Sequence, residues 1–219
     1  MTGPRILMPV YDGFDLLDVC GPSEMFSWAG YAVDLVAEVP GKVAANNGFV
    51  FDVPNGLPAQ PVTYDALWIP GGSPDQLSRI IHDPARRLLN FIGEQAAQSS
   101  WVCSVCEGAL LAAAAVLLNG YKATTHWAFI PYLMQNYPDV TVADGHPRFV
   151  VDRNRLTGGG ISSGLDEALK LIELLSGTAA AQDVQQTTQY YPDPPVSSEI
   201  PNTITSPMPP YPPPARGRG

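Results

Sequence analysis

Residues 99–120, SSWVCSVCEGALLAAAAVLLNG, constrain the fold more than any other stretch. Residues 101–104 read as a short buried strand, 104–108 as a sharp turn, and 108–118 as a helix rich in Ala and Leu. Small residues stand two positions either side of Cys106, at Ser104 and Gly108. They allow the tight bend that lifts a nucleophile out at the carboxyl edge of a sheet. The helix starting just after the sulfur turns its unpaired N–H groups toward it, which favours the thiolate. SVCEG is thus the cysteine counterpart of a G-x-S-x-G nucleophile elbow. The alternative is that Cys106 is a small buried hydrophobe, as most free cysteines are.

A chain of 219 residues, 45% of them apolar, can bury one sizeable core, and a single α/β domain is expected over 1–187. Net charge of −9 and a pI near 4.6 exclude a basic footprint for nucleic acid. Cysteines at 20, 103 and 106 are too few and too irregular for a disulfide framework. On an extended strand, Cys103 and Cys106 would stand roughly 10 Å apart at Cα, whereas a disulfide needs about 7 Å or less. Histidines at 82, 126 and 146 show no metal-ligand spacing, so neither metal nor cofactor is expected. The N-terminal apolar run 6–10 is too short for a secretory h-region, and 109–118 is too short to span a bilayer. A cytoplasmic protein without a membrane partner is the expectation.

Residues 5–10 form a nearly continuous apolar run, the mark of a strand buried on both faces of a parallel sheet. A loop carries Asp18, and Gly21-Pro22 is expected to open the first helix, running to about Trp28. Asp18 then lies between a strand's carboxyl end and a helix, where open α/β sheets bind ligands; a turn or capping role fits the position equally well. A strand at 31–37 and a hairpin at 43–52 around Asn46-Asn47-Gly48 follow. The strand 66–69 ends in Pro70-Gly71-Gly72, where glycines let backbone approach a ligand or simply make a turn. Helices are expected at 75–81, 85–98, 126–136 with Thr125 as cap, 162–175 and 178–186. Extended segments are expected at 121–124, 140–142, 148–151 and 156–157. Gly158-Gly159-Gly160-Ile161 delivers the chain to the helix at 162, again a place for close backbone approach. Ten of the 32 residues from Thr188 onward are proline, so 188–219 reads as an extended arm. Tyr190, Tyr191, Ile200, Met208 and Tyr211 offer it apolar anchors, and it is either disordered or laid across a partner subunit.

A strand with an acidic loop, a strand with Pro-Gly-Gly, a strand with an elbow Cys and a Gly-rich return together resemble the ThiJ/PfpI superfamily over roughly 5–186. That resemblance implies the class I glutamine amidotransferase-like fold, a flavodoxin-like, doubly wound and mostly parallel sheet with helices on both faces. Leu17-Asp18-Val19-Cys20-Gly21-Pro22, Ile69-Pro70-Gly71-Gly72, Ser104-Val105-Cys106, Ala123-Thr124-Thr125-His126-Trp127 and Leu156-Thr157-Gly158-Gly159-Gly160-Ile161 look like the isocyanide (isonitrile) hydratases. The Thr-Thr-His-Trp and Leu-Thr-Gly-Gly-Gly strings also resemble the amidotransferase-like domains of AraC-type regulators, but no helix-turn-helix sequence follows in 188–219. Proteases and chaperone-hydrolases of the superfamily place His directly after the nucleophile, and isocyanide hydratases place a small hydroxyl residue there. Here the residue is Glu107, expected on the first helical turn facing solvent.

The resemblance implies that Cys106 attacks the terminal carbon of an isocyanide to give a thioimidate, which water converts to an N-substituted formamide. Asp18 would be the general acid/base, protonated beside the sulfur because two negative charges there repel. Backbone N–H groups of Gly72 and Glu107 are the expected anion donors. Gly71, His126, Trp127, Gly159, Gly160 and Ile161 would line the substrate pocket, with His126 equally well accounted for by helix packing. A homodimer is expected from the resemblance. Three other readings stay open: a glyoxalase- or deglycase-like hydrolase using the same Cys, a non-catalytic oxidation sensor, and an AraC-type ligand-binding domain.

Overall fold

The computed structural model describes residues 3–209. The chain opens with β1 (Arg5–Val10), followed by α1 (Leu16–Trp28), β2 (Ala32–Ala37), β3 (Gly41–Ala44), β4 (Val50–Val53) and β5 (Tyr64–Ile69). Next come α2 (Pro74–Ile81), α3 (Arg87–Ala96), β6 (Ser99–Ser104), α4 (Gly108–Ala114) and β7 (Lys122–Ala123). A 3-10 turn at Trp127–Phe129 leads into α5 (Ile130–Asn136), β8 (Thr141–Val142), β9 (Phe149–Asp152), β10 (Arg155–Gly158), α6 (Ser163–Ser176) and α7 (Thr178–Thr187). The central sheet has the order β2-β1-β5-β6-β10-β9, parallel except for β9 against β10. This is the mostly parallel α/β architecture expected, with an antiparallel edge strand. Its apolar strands are covered on one side by α1 and α6 and on the other by α2, α3 and α4.

From β1 the chain steps outward to β2 and then returns to the other side of β1 as β5. The loops after β1 and β5 therefore diverge at the topological switch point, and the turn after β6 lies beside them. A one-residue bridge from Phe14 to Gly72 ties the first two loops together. Asp15 N–H donates to Gly71 O at 2.9 Å and Ser73 N–H to Gly13 O at 2.8 Å.

Three local expectations are corrected. Helix α1 begins at Leu16, not Gly21, so Pro22 lies inside it and Asp18 sits in its first turn. Pro22 cannot donate the bond that Asp18 O would receive, and the Trp68 indole N–H donates to that oxygen instead at 3.0 Å. Helix α4 stops at Ala114 rather than 118. The Leu117 N–H reaches Ala112 O and the Val116 N–H reaches Ala113 O, with Val116 left-handed at φ 64°. That is a Schellman ending with valine where glycine is usual. The turn after β7 is capped by the His126 ring, which accepts from Ala128 N–H at 3.2 Å, and not by Thr125.

Beyond α7 the described part of the arm forms neither helix nor strand and lies against its own chain. The Tyr190 hydroxyl donates to Asp166 at 3.1 Å, and Met208 is buried. Tyr191 is exposed, and Tyr211 lies outside the described residues.

Candidate active site

The bend after β6 puts Cys106 at φ 54°, a left-handed conformation that costs an L-residue roughly 1–2 kcal/mol. It is pinned from both sides. The Cys106 N–H donates to Gly159 O at 2.9 Å, and the Thr125 hydroxyl donates to Cys106 O at 2.8 Å. The three-glycine return and the Thr-Thr-His-Trp string thus act on the elbow itself. The Ile161 N–H points at the Cys106 sulfur at 3.4 Å.

Asp18, fully buried, reaches the elbow from the first turn of α1. Its Oδ2 accepts from Gly71 N–H at 2.9 Å, while Oδ1 has no hydrogen-bond partner. A Cβ on Gly71 would stand 2.5 Å from Glu107 Oε2 and 3.0 Å from Asp18 Oδ2, so only glycine fits between the two carboxyls. Gly72 is held in the bridge to Phe14. Glu107 is buried at 5% exposure, which corrects the solvent-facing placement expected for it. Its carboxyl gathers with the Cys106 sulfur and the Asp15 and Asp18 carboxyls, and Oε2 is left without a hydrogen-bond partner. The N–H seen on the sulfur is that of Ile161.

Asp15, Asp18, Cys106 and Glu107 bring ligand-capable atoms within 4.8 Å of one another. Such a cluster could gather round a cation or share protons among its members. Burial pushes the Asp18 carboxyl well above the usual carboxylate range, with Asp15 and Glu107 adding to it and the Gly71 N–H opposing. Burial likewise raises Glu107 to about 7, with the Cys106 thiol opposing and Asp15 reinforcing. Cys106 is pushed well above its ordinary value by burial, then by Asp18 and Glu107, against the Ile161 N–H. Burial and the two acids thus act against the helix end expected to favour the thiolate. Cys20 and Cys103 are free as well, with Cys103 buried in β6.

A cavity of about 400 Å³ is lined by Leu17, Thr125, His126, Trp127, Gly159, Gly160 and Ile161, with Ile200 of the arm on its wall. A second, of about 390 Å³, is lined by Asp15, Leu16, Leu17, Cys20, Asn46, Asn47 and Ile161. Leu17 and Ile161 border both cavities. Cys106 itself is fully buried and lines neither. A Cβ on Gly160 would collide with the His126 ring, so the return packs directly on the imidazole. Burial lowers the His126 pKa, favouring the neutral ring. Sequence reasoning missed Asp15, Leu17 and Thr125. Asp15 carried a signal: an acid just before Leu16-Leu17 marks a helix start, and reading it that way would have placed α1 correctly.

Over 191 residues the chain is 37% identical to an isonitrile hydratase from Pseudomonas putida, covering 87% of this chain and 80% of that protein. It is 32% identical to a ThiJ/PfpI family protein from Pseudomonas syringae, with a TM-score of 0.80 over 90% of this chain and 78% of the other. The oxidized DJ-1 of Toxoplasma gondii shares the fold, with a TM-score of 0.73 at 24% identity over 86% of this chain and all of the other. Residues 4–174 match the DJ-1/PfpI family, and the chain belongs to it.

Proposed function

We propose that this protein is an isocyanide hydratase, adding water across the terminal carbon of an isocyanide to give an N-substituted formamide. The observation that carries the reading is the pairing of an elbow cysteine with a buried, protonated Asp18 on a chain 37% identical to an isonitrile hydratase. The Cys106 thiolate bonds to the isocyanide carbon, and that carbon takes a proton from Asp18, giving a thioimidate. Water adds to the thioimidate carbon, and its proton passes by way of the Asp18 carboxylate to the nitrogen. The carbon–sulfur bond then breaks with its electron pair returning to the thiolate, the hydroxyl proton goes to Asp18, and the formamide is released. Leu17, Trp127 and Ile161 make the adjoining walls apolar, which suits an aryl or alkyl substituent.

The reading carries with it a cytoplasmic homodimer, for which sedimentation is the check. Of the arm's anchors, Tyr190 and Met208 pack on their own chain, while Tyr191 is exposed. The decisive experiment follows formamide from an aryl isocyanide by chromatography, with methylglyoxal run alongside. Formamide with inert methylglyoxal supports the hydratase. Turnover of methylglyoxal alone would make it a glyoxalase-like hydrolase, and turnover of neither would favour a sensor or ligand-binding domain.

A further inference from the structure

Of the two cavities that meet at Leu17 and Ile161, the one of about 400 Å³ backs directly on the elbow. Three of its lining residues are hydrogen-bonded to Cys106. The Thr125 hydroxyl donates to the Cys106 carbonyl at 2.8 Å, the Gly159 carbonyl accepts from the Cys106 N–H at 2.9 Å, and the Ile161 N–H points at the sulfur at 3.4 Å. Of these three the second cavity has only Ile161. An isocyanide is linear about its nitrogen, so a carbon held at the sulfur directs its substituent stiffly away from the elbow. The cavity beside the elbow has room to receive that substituent, being of the size that holds a whole small molecule.

One wall of this cavity comes from outside the α/β core. It is Ile200, the one arm residue among those lining it. The arm is fastened on both sides of that position. Before it, the Tyr190 hydroxyl donates to Asp166 at 3.1 Å, and Asp166 accepts from Nε of Arg148, another lining residue, at 2.9 Å. After it, Met208 is buried. Between the two anchors Val196 stands in solvent at 77% exposure, whereas Ile200 is turned inward enough to keep only 40%. We propose that Ile200 is a specificity-determining residue of the hydratase, laid by the arm against the substituent of the bound isocyanide. With Leu17, Trp127 and Ile161 it favours an uncharged, apolar substituent of aromatic size over a small one. The Arg148 guanidinium on the same wall is paired with Asp166 and donates to Ser162 Oγ at 3.1 Å, so it is not set to attract an acidic substituent. The substrate in this proposal rests on the hydratase reading; the wall rests on the geometry alone.

The test compares wild type, Ile200→Ala and Ile200→Leu in the full chain, with 2-naphthyl and methyl isocyanide as substrates. A methylene more or less in an apolar pocket changes discrimination by about tenfold or more, and the partial exposure of Ile200 points to the low end of that range. In Ile200→Ala the naphthyl-to-methyl ratio of kcat/KM should therefore fall about tenfold, with the loss carried by KM for the naphthyl substrate. Ile200→Leu keeps the apolar bulk and should restore the ratio to within about threefold of wild type. A general loss of structure would lower both substrates together and would not be rescued by leucine. A ratio in Ile200→Ala within about twofold of wild type, or a loss that falls on kcat alone, would overturn the proposal. A second measurement needs no hydratase activity: alkylation of Cys106 by iodoacetamide and by N-phenyl iodoacetamide, read at that residue by fragment mass. The rate with the phenyl reagent relative to the small one should fall in Ile200→Ala and recover in Ile200→Leu. If wild type makes no formamide, the hydratase reading fails. An unmoved alkylation ratio would then overturn the role of Ile200 as well, and a lowered one would keep it as a wall of the cavity that serves Cys106.

Discussion

Cys106 is kept in a left-handed turn by partners drawn from two separate loops, and that convergence makes it more than a small core residue. Cys106→Ser retains the volume and the backbone bonds but not the nucleophile. It should fold with an unchanged melting curve and yield no formamide above background. Asp18 is a different case, because its carboxyl is useful for the proton that burial keeps on it. Asp18→Asn can place its amide oxygen on the Gly71 N–H but cannot deliver a proton. Formamide production should drop by about 10²-fold or more while Cys106 still reacts with iodoacetamide. An Asn variant as fast as wild type would remove Asp18 from the mechanism.

Helix α1 and helix α4 both depart from simple sequence rules, and each departure has a local cause. Pro22 is tolerated mid-helix because Trp68, fully buried and edge-on to Phe26 at 5.3 Å, supplies the missing donor to Asp18 O. That bond also fixes the backbone that carries the Asp18 side chain. Helix α4 closes on Val116, a β-branched residue that is 64% exposed in the left-handed region. Val116→Gly should therefore relieve strain of roughly 1–2 kcal/mol, raising Tm in calorimetry without altering activity. A lower Tm would mean that the valine makes contacts outweighing its backbone cost.

At the scale of the whole fold, three buried carboxyls among the described residues have pKa values raised on folding: Asp18, Glu107 and Glu167. An acid shifted upward contributes stability that is complete below its unfolded pKa and is lost as pH rises through its folded pKa. For Glu107 that window runs from 4.5 to about 7, and Glu167, fully buried on α6, extends it upward. Tm should thus fall steadily from pH 5 to pH 9, and Glu167→Gln should flatten the alkaline part of the fall. The opposite slope would show that these carboxyls are ionised in the folded protein. The arm contributes on the same scale. Removing residues 196–219 exposes what Met208 covers and opens the wall formed by Ile200. Burying one such side chain is worth about 2 kcal/mol, so Tm should drop by roughly 5 °C. An unchanged Tm would leave the arm without a structural role.

The order of strands and helices, the elbow at Cys106 and the acid at Asp18 were legible from sequence because each is a local pattern. Apolar runs mark strands buried on both faces, and small residues around a cysteine permit one sharp turn. What sequence could not decide was everything set by two distant segments meeting. Glu107 reads as an exposed acid on a helix's first turn until the loops after β1 and β5 close over it. Pro22 reads as a helix start until Trp68, 46 positions later, supplies its bond. That Met208 of the arm is buried against its own chain is likewise not legible in the arm's composition. Burial and electrostatic proximity depend on the packed assembly, and neither is a property of any short stretch of chain. Which way the pKa values of Asp18, Cys106 and Glu107 move was decided by the tertiary structure alone.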